Sequence, residues 1–427
     1  MSSVPPPLSS LPEEEKELEG PPSSSTRTIL KKTVVLGGSG GGNDHDDGTR
    51  TTTKKELKLL FLGCEEGKEY GPYDHTATLF LELICRAIEE MKPTKEEGKE
   101  ETTVFIVIIT VYRVSQGDFP SEDDDFDYDS FDGIILPGSY DDAYNESKEW
   151  IQELKVLIQT HIVPFQRPTL GVCFGHQILA HSYGQANIGD GDSVGGPGRA
   201  MKCPAGKQVG RKSFKLTNAG RAIFGCRHSS NIGGDVSCKI AKQGTTEKKR
   251  KYEEVHDVDN KEEKKELEEE ENVGDGTTTT RQDDTNDADN SIELYYTHGD
   301  MVESLPNCAV SLGGNDNVPI QGAAYFATPE DAHDFIISSK SSINSSSSSR
   351  PFAITLQAHP EYACDTSHKL GLQRTFGSII NGMESRKELS TTKKDVIMDD
   401  AIQHYDTVQS HSIQVMISIG RYLGWFP

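Results

Sequence analysis

Short apolar runs alternate with longer amphipathic stretches in two parts of the chain, residues 57–240 and 291–427. The runs have the length of β-strands. Because nearly every residue in them is apolar, they predict strands that are buried on both faces of a parallel sheet. The predicted strands are 57–62 (LKLLFL), 103–112 (TVFIVIITVY), 133–136 (GIIL) and 169–172 (TLGV).

The stretches between these runs have the spacing of helices. In residues 76–91, apolar side chains recur every three or four positions and form one face of a helix. Two further helices are predicted over residues 146–160 and 175–183. Alternating strands and helices favour an α/β fold: an open, mostly parallel, doubly wound sheet in a flavodoxin-like three-layer arrangement.

Three segments lack these patterns. Residues 1–56 are rich in Ser, Pro, Gly and Thr, residues 243–290 in Lys, Glu, Asp and Thr, and residues 338–349 in Ser. Such segments have too little apolar surface to offset the entropy lost on ordering, so disordered or loop-like chain is predicted. We therefore expect a disordered segment at 1–56 and a single domain at 57–427, interrupted by the long acidic insertion 243–290 and by the insertion 338–349.

Composition narrows the classes of partner. The net charge of −24 argues against a nucleic-acid partner, because phosphate binding needs clustered Lys and Arg. The eight cysteines form no CxxC pair, so neither a zinc site nor a disulfide framework is predicted. Reduced thiols, and the lack of an apolar run of roughly 18–20 residues, indicate a soluble cytoplasmic protein without membrane contact. Residues 248–251 (KKRK) leave nuclear import open, although they lie in a mixed-charge run.

Residues 171–177 (GVCFGHQ) join a predicted strand to a predicted helix. This arrangement is the cysteine counterpart of the nucleophile elbow, in which flanking glycines leave room for a sharp turn. The helix would point its N-terminus at the sulfur of Cys173 and favour the thiolate. The backbone N–H of Phe174 would face an oxyanion formed by attack. A buried structural cysteine is the alternative, and the flanking glycines make it the weaker one.

A cysteine nucleophile needs a general base and a group that orients it. Residues 352–361 (FAITLQAHPE) predict a strand that runs into a His-Pro-Glu turn. His359 and Glu361 are two residues apart, so in an extended segment their side chains leave on the same face. The carboxylate can then hold one ring nitrogen while the other faces the sulfur. His298, in residues 297–300 (THGD), is the rival base, but no proline fixes a carboxylate beside it.

Together these motifs resemble the class I glutamine amidotransferase family. Residues 132–139 (DGIILPGS) are similar to its oxyanion strand, and residues 297–300 to the His-x-Asp loop of the branch related to the amidotransferase domain of GMP synthase. The resemblance covers most of 57–235 and 291–380, and it is closest to stand-alone members such as the plant γ-glutamyl peptidases. The nearest match to the family's Glu-x-Gly motif is 208–210 (QVG), where Gln replaces Glu.

The resemblance implies a catalytic triad of Cys173, His359 and Glu361. It implies oxyanion donors at Gly138 and Phe174, and substrate contacts at Ser139, His176, Gln177, His298 and Asp300. The implied reaction is cleavage of γ-glutamyl amide or peptide bonds through a γ-glutamyl thioester, with glutamine, glutathione or a conjugate as the small substrate. No metal and no cofactor are required.

Three functions stay open. The first is a stand-alone hydrolase or transferase of γ-glutamyl compounds. The second is a glutaminase subunit that supplies ammonia to a separate synthetase acting in trans, since this chain carries no ATP-pyrophosphatase loop. The third is a non-catalytic binding module with the same fold, and the intact cysteine, histidine and glutamate argue against it.

Overall fold

The computed structural model describes residues 27–36, 51–65, 74–91, 101–121, 126–183, 198–225, 291–340 and 349–427. The chain divides into two units, residues 1–225 with 288–427 and residues 226–287, and the described residues belong to the first. The predicted insertion 243–290 therefore lies outside the described residues. Among the residues described, no helix has the length and apolar character needed to cross a membrane.

Strands and helices alternate through the first half of the chain, as predicted. The strands are β1 Thr28–Leu36, β2 Thr51–Leu62, β3 Glu101–Tyr112, β4 Gly133–Leu136, β5 Thr169–Val172, β6 Arg199–Lys202, β7 Gln208–Leu216, β8 Ser291–His298, β9 Asp300–Ser304, β10 Ala309–Gly314, β11 Gly322–Tyr325 and β12 Ala353–Leu356. The α-helices are α1 His75–Glu90, α2 Glu149–Leu157, α3 Phe174–Tyr183, α4 Asn218–Phe224, α5 Pro329–Lys340, α6 Gly377–Ser385, α7 Thr391–Gln403 and α8 Tyr405–Tyr422. A π-helical turn, Ile158–Ile162, extends α2.

Within the described residues, ten strands form one sheet in the order β1-β3-β2-β4-β5-β12-β11-β10-β7-β8. The central strands β3, β2, β4, β5 and β12 are parallel, which confirms the predicted parallel sheet. Strand β1 at one edge, and β11, β10, β7 and β8 on the other side, are antiparallel. The antiparallel side escaped prediction because strands such as β7 alternate polar and apolar residues and carry no continuous apolar run.

Both faces of the sheet are covered by helices. In β2, Leu59 and Phe61 point into the core shared with α1 and α8, whereas Leu60 and Leu62 point into the core shared with α2 and α3. This alternation is the consequence of the strand's two-residue period. The fold is therefore the predicted three-layer α/β arrangement.

The prediction that residues 1–56 are disordered is wrong for part of this segment. Strand β1 pairs with β3 along its whole length, and β2 begins at Thr51 instead of residue 57. Both additions are rich in Thr and Lys, and β1 lies at the sheet edge with Ile29 and Val35 exposed. An edge strand joins its sheet through backbone hydrogen bonds, which composition does not report.

The predicted start of the serine-rich insertion, residue 338, is also wrong, because this residue still belongs to a helix. Helix α5 continues to Lys340, and the hydroxyls of Ser338 and Ser339 donate to the carbonyls of Phe335 and Ile336. These bonds satisfy serine side chains inside the last turn of the helix. Residues 341–348 lie outside the described part of the chain.

Candidate active site

Cys173 occupies the sharp turn between β5 and α3. Its φ of 52° places a non-glycine residue in the left-handed region, which costs roughly 1–2 kcal/mol. Two backbone hydrogen bonds hold the turn: the N–H of Cys173 donates to Leu356 (2.8 Å), and the N–H of Gln177 donates to the Cys173 carbonyl (3.1 Å). The elbow expected from the sequence is present and is tied to the neighbouring strand β12.

The two glycines that flank Cys173 are sterically required. A Cβ on Gly175 would lie 2.0 Å from the carbonyl oxygen of Leu136 in β4. A Cβ on Gly171 would lie 2.8 Å from the side chain of Thr355 in β12. The elbow is therefore packed between β4 and β12, and larger residues at these positions would push it out.

His359 and Glu361 form a buried pair after β12. The Nδ1–H of His359 donates to Oε1 of Glu361 at 2.7 Å, and the two side chains are 3% and 1% exposed. The ring also stacks on Tyr362, with centroids 4.3 Å apart and planes 2° from parallel. The expected extended segment is wrong, because the chain enters a 3-10 helix at Pro360–Ala363, but the pairing itself is present.

Cys173 and Glu361 act together on the charge of His359. Burial disfavours the charged imidazolium, but the Glu361 carboxylate, the Cys173 thiolate and their hydrogen bonds outweigh it and raise the pKa of His359 to about 10. Because Nδ1 carries the proton shared with Glu361, Nε2 is the nitrogen left to exchange a proton with the thiol. This is the arrangement that a cysteine nucleophile with a paired base requires.

The turn after β4 lies against the side chains of Cys173 and His359. A Cβ on Gly138 would be 3.1 Å from Cε1 of His359 and 3.7 Å from Cβ of Cys173. Ser139, the next residue, lines the adjacent cavity, and its hydroxyl accepts the N–H of Asp141 at 3.2 Å. The turn predicted to supply an oxyanion donor is thus beside the sulfur.

A cavity of about 450 Å³ opens beside Cys173. Four of the predicted substrate contacts line it: Ser139, Gln177, His298 and Asp300. The amide of Gln177 donates to Gln357 at 3.1 Å, which fixes its orientation at the cavity wall. Gln208 of β7 lies opposite His298 in the β7–β8 pairing, so the departure from the family's Glu-x-Gly motif is next to this wall.

His298 presents a neutral ring to the cavity. Its Nδ1–H donates to the backbone carbonyl of Asp300 at 2.7 Å, and Nε2 has no partner among the described residues. Burial is the main cause that lowers the pKa of His298 to about 3, so the ring stays uncharged and Nε2 is a free acceptor. With a carbonyl instead of a carboxylate at Nδ1, His298 is less suited than His359 to stabilise the imidazolium of a base.

The residues that surround Asp300 were not predicted from the sequence. The Tyr144 hydroxyl donates to Asp300 Oδ1 at 3.0 Å, and burial together with a hydrogen bond to Asp142 raises the pKa of Asp300 to about 7. Lys202, which also lines the cavity, lowers this pKa through its charge. Asp142 follows the predicted oxyanion turn closely in sequence. This proximity could have identified it as a residue of the site.

His176 does not line the cavity that the other predicted substrate contacts share. The ring is fully buried between α3 and the sheet, where Nδ1 accepts from the Thr355 hydroxyl (2.7 Å) and Nε2–H donates to the Ile320 carbonyl (3.3 Å). Burial lowers the pKa of His176 to about 4, so it is a neutral core histidine. Three residues after the elbow, the helix has already turned this position toward β12.

The described residues contain no cluster of side chains that could bind a metal ion. No group of three or more His, Cys, Asp or Glu side chains there is arranged to hold an ion. The cysteines described, Cys64, Cys85, Cys173, Cys203, Cys308 and Cys364, are all buried free thiols.

Comparisons with known proteins agree with this geometry. Residues 106–377, which include the cysteine, histidine and glutamate described above, match the sequence model of glutamine amidotransferase class-I. γ-Glutamyl peptidase 5 of Arabidopsis thaliana is 40% identical over 74 residues, which are 17% of this chain and 28% of that protein. γ-Glutamyl peptidase 3 of the same plant is 31% identical over 115 residues, 27% of this chain and 39% of that protein. The matches thus span less than half of either relative.

The fold was also compared with solved structures. A glutamine amidotransferase of Thermotoga maritima covers 86% of this chain and 98% of its own, with 12% identity and a TM-score of 0.46.

Proposed function

The chain belongs to the class I glutamine amidotransferase family, and on this basis we propose that it cleaves γ-glutamyl amide or peptide bonds with Cys173 as the nucleophile. The observation that carries the proposal is the strained elbow of Cys173 beside the buried His359–Glu361 pair. Buried thiols elsewhere in the described residues lack such a neighbour.

The proposed reaction has two steps. With His359 already protonated at Nε2, the Cys173 thiolate attacks the γ-carbonyl carbon, so that a C–S bond forms while the carbonyl electrons move to oxygen. The N–H groups of Phe174 and of the Gly138–Ser139 turn stabilise this oxyanion. Collapse breaks the C–N bond, and the amine leaves with the proton from His359. Water, deprotonated by the same ring, then attacks the thioester carbon; collapse of this second intermediate breaks the C–S bond, releases the γ-glutamyl group as a free acid and leaves the thiolate paired with the protonated ring.

The cavity favours a zwitterionic head group on the γ-glutamyl side. The free acceptor at His298 Nε2 and the Asp142–Asp300 pair suit an α-ammonium group, because an ammonium carries donors and a positive charge. Lys202, on the same wall, suits the α-carboxylate. Glutamine and γ-glutamyl peptides share this head group, so the cavity wall alone does not decide between them.

For the leaving group, we favour a γ-glutamyl peptide such as glutathione or a conjugate over free glutamine. The support is the similarity to γ-glutamyl peptidases and a cavity with room beyond a single glutamine side chain. A free-standing peptidase also has no need for the restraint that keeps a glutaminase subunit idle until its synthetase docks.

The test compares kcat/KM for glutathione and glutamine with the purified full-length chain, with products identified by mass spectrometry. We expect glutathione to be cleaved faster and the Cys173→Ala variant to cleave neither. Preference for glutamine would contradict the peptidase assignment. Turnover that starts only when a cell extract is added would favour a glutaminase subunit that works with a synthetase.

A further inference from the structure

Glu65 lies at the same edge of the sheet as the catalytic residues, but the reaction proposed above does not use it. It follows β2, whose neighbour β4 ends at the Gly138 turn. Parallel strands end together at one edge, which brings Glu65 near the elbow although more than a hundred residues separate it from Cys173. Its side chain is half-buried.

Two elements hold this carboxyl group in place. The Thr76 hydroxyl, in the first turn of α1, donates to Glu65 Oε2, and the Ser115 hydroxyl donates to the Glu65 backbone carbonyl at 3.2 Å. Thr76 is only 2% exposed, so the hydroxyl that clamps the carboxyl group is fixed by packing. Glu65 is therefore a positioned side chain and not a loosely exposed acid.

The other carboxyl oxygen points at the place where the cysteine and the histidine meet. Glu65 Oε1 lies 3.9 Å from the position that a Cβ on Gly138 would occupy. That same position is 3.1 Å from His359 Cε1 and 3.7 Å from Cys173 Cβ. Because Gly138 has no side chain, nothing on that residue separates the carboxyl group from the pair.

The surroundings of Glu65 favour its neutral form. Burial raises the pKa of Glu65 to about 8; the Thr76 hydrogen bond and the charge of His359 oppose this shift, and the Glu361 carboxylate adds to it. Among the described residues, the other titratable groups that face it are Cys173 across Gly138 and Cys64 on its own segment. At neutral pH the carboxyl group of Glu65 is thus mostly protonated.

We propose that Glu65, clamped by Thr76 against Gly138, is a positioning residue that controls the charge beside the Cys173–His359 pair: its neutral form permits the oxyanion and its ionised form suppresses the reaction. The proposal rests on the proposed function for its catalytic consequence. The physical cause is repulsion, because an ionised carboxyl group here would face the negative charge that develops on the substrate oxygen at the Gly138 turn.

The first test is the pH dependence of kcat/KM for glutathione with the wild type and Glu65→Gln. The wild-type value should fall by about tenfold as pH rises from 7 to 9, as expected for two like charges separated by several ångströms in a partly buried site. Glutamine has the shape of the neutral acid but does not ionise. Glu65→Gln should therefore match the wild type at pH 7 and lose this alkaline decline. A decline that persists in the variant, or a variant inactive at every pH, would overturn the proposal.

The second test needs no substrate, so it separates this proposal from the proposed function. Cys173 is alkylated with neutral iodoacetamide and with anionic iodoacetate, and mass spectrometry of its peptide gives the two rates. The ratio of the anionic to the neutral rate reports negative charge near the sulfur. It should fall severalfold through pH 8 in the wild type and show no such step in Glu65→Gln. An identical ratio in both proteins would refute the placement of Glu65, whatever substrate the enzyme uses.

Two further variants show which carboxyl group causes the pH-dependent fall in the ratio of alkylation rates. In Thr76→Val the carboxyl group stays but loses a hydrogen bond that lowers its pKa, so the step should move to higher pH. Asp300, whose pKa is about 7, produces its own step in the ratio, which should vanish in Asp300→Asn and remain in Glu65→Gln. A Thr76→Val step that moves to lower pH or does not move would contradict the clamp.

Discussion

The parallel centre of the sheet and its antiparallel side contribute different parts of the site. Cys173, the Gly138 turn and His359 all follow strands of the parallel centre, β5, β4 and β12. His298 ends β8, the edge strand of the antiparallel side, and Asp300 begins the next strand, β9. One region therefore carries the proposed reacting groups, and the other carries a wall of the cavity beside them.

The two regions also differ in how strictly their residues are fixed. In the parallel centre, glycines without space for a Cβ and a left-handed cysteine leave one arrangement of the elbow. On the antiparallel side, His298 Nε2 has no partner among the described residues, and burial and the neighbouring Asp142 raise the pKa of Asp300 to about 7. Such groups are open to a ligand. Backbone sterics therefore position the proposed reacting groups, whereas polar groups without protein partners remain available to bind a ligand.

The largest effect is expected when the proposed nucleophile is removed. Cys173→Ala should lower kcat/KM by at least about 10³-fold, because the covalent route is lost, while the melting temperature stays close to the wild type. Cys308→Ala is the matched control, since it removes another buried free thiol far along the chain. It should keep full activity per folded molecule. Equal losses in both variants would mean that the parallel centre holds no nucleophile.

A second change in the parallel centre tests the orienting carboxylate. Glu361→Gln keeps the size of the side chain but no longer stabilises the imidazolium, so kcat should fall by roughly 10²–10⁴-fold. The pKa of His359 should drop as well, which NMR titration of the ring would detect. An unchanged kcat would show that the pair is structural. Loss of activity in His298→Ala but not in His359→Ala would move the base to the antiparallel side.

Removing a charge from the antiparallel side should affect binding more than chemistry. Asp300→Asn should raise KM by about tenfold, equivalent to ~1.4 kcal/mol, with kcat changed by only a few fold. A glutaryl amide, which has the γ-carbonyl but lacks the α-ammonium group, is the matched substrate and should be cleaved equally by both proteins. A large drop in kcat for both substrates would place Asp300 among the reacting groups.

The smallest effect is expected from an ion pair that ties the antiparallel side to a helix. Arg211 of β7 bonds Asp400 of α7 at 2.8 Å and Glu293 of β8 at 2.7 Å. These groups are partly exposed, so water screens them, and Arg211→Met should lower the free energy of unfolding by only about 0.5–1 kcal/mol. Urea unfolding at low and high salt would measure it. Turnover by Cys173 should be unaffected, and a loss of activity would show that the two regions are more strongly coupled than the geometry indicates.

The sequence predicts those parts of the molecule that are encoded locally. Strands 133–136 and 169–172 have the predicted bounds, and the elbow at Cys173 and the His359–Glu361 pair are each written in a few consecutive residues. Glycine spacing and a proline reveal them because the sterics that they satisfy are those of the immediate chain. The roles of these residues in catalysis stay predictions until the variants above are measured.

The parts that the sequence did not predict depend on distant pairing. His176 contacts Thr355, 179 residues away. Only the pairing of β5 with β12 shows that its ring is buried in the core and bonded there. Tyr144 meets Asp300 across 156 residues, and β1 joins the sheet through backbone bonds to β3. Glu65 lies at the carboxyl end of a predicted strand, so the rule that sites form at strand ends could have identified it.

The position of β12 in the middle of the sheet has a consequence for the order of folding. β12 lies between β5 and β11, so the sheet is continuous only after the chain has been made as far as residue 356. Closing so long a loop is entropically costly, and contacts of such sequence separation form slowly. Because the same strand delivers His359, a chain still emerging from the ribosome carries its cysteine without its base. In the proposed mechanism, nucleophile and base thus come together only when the sheet is completed.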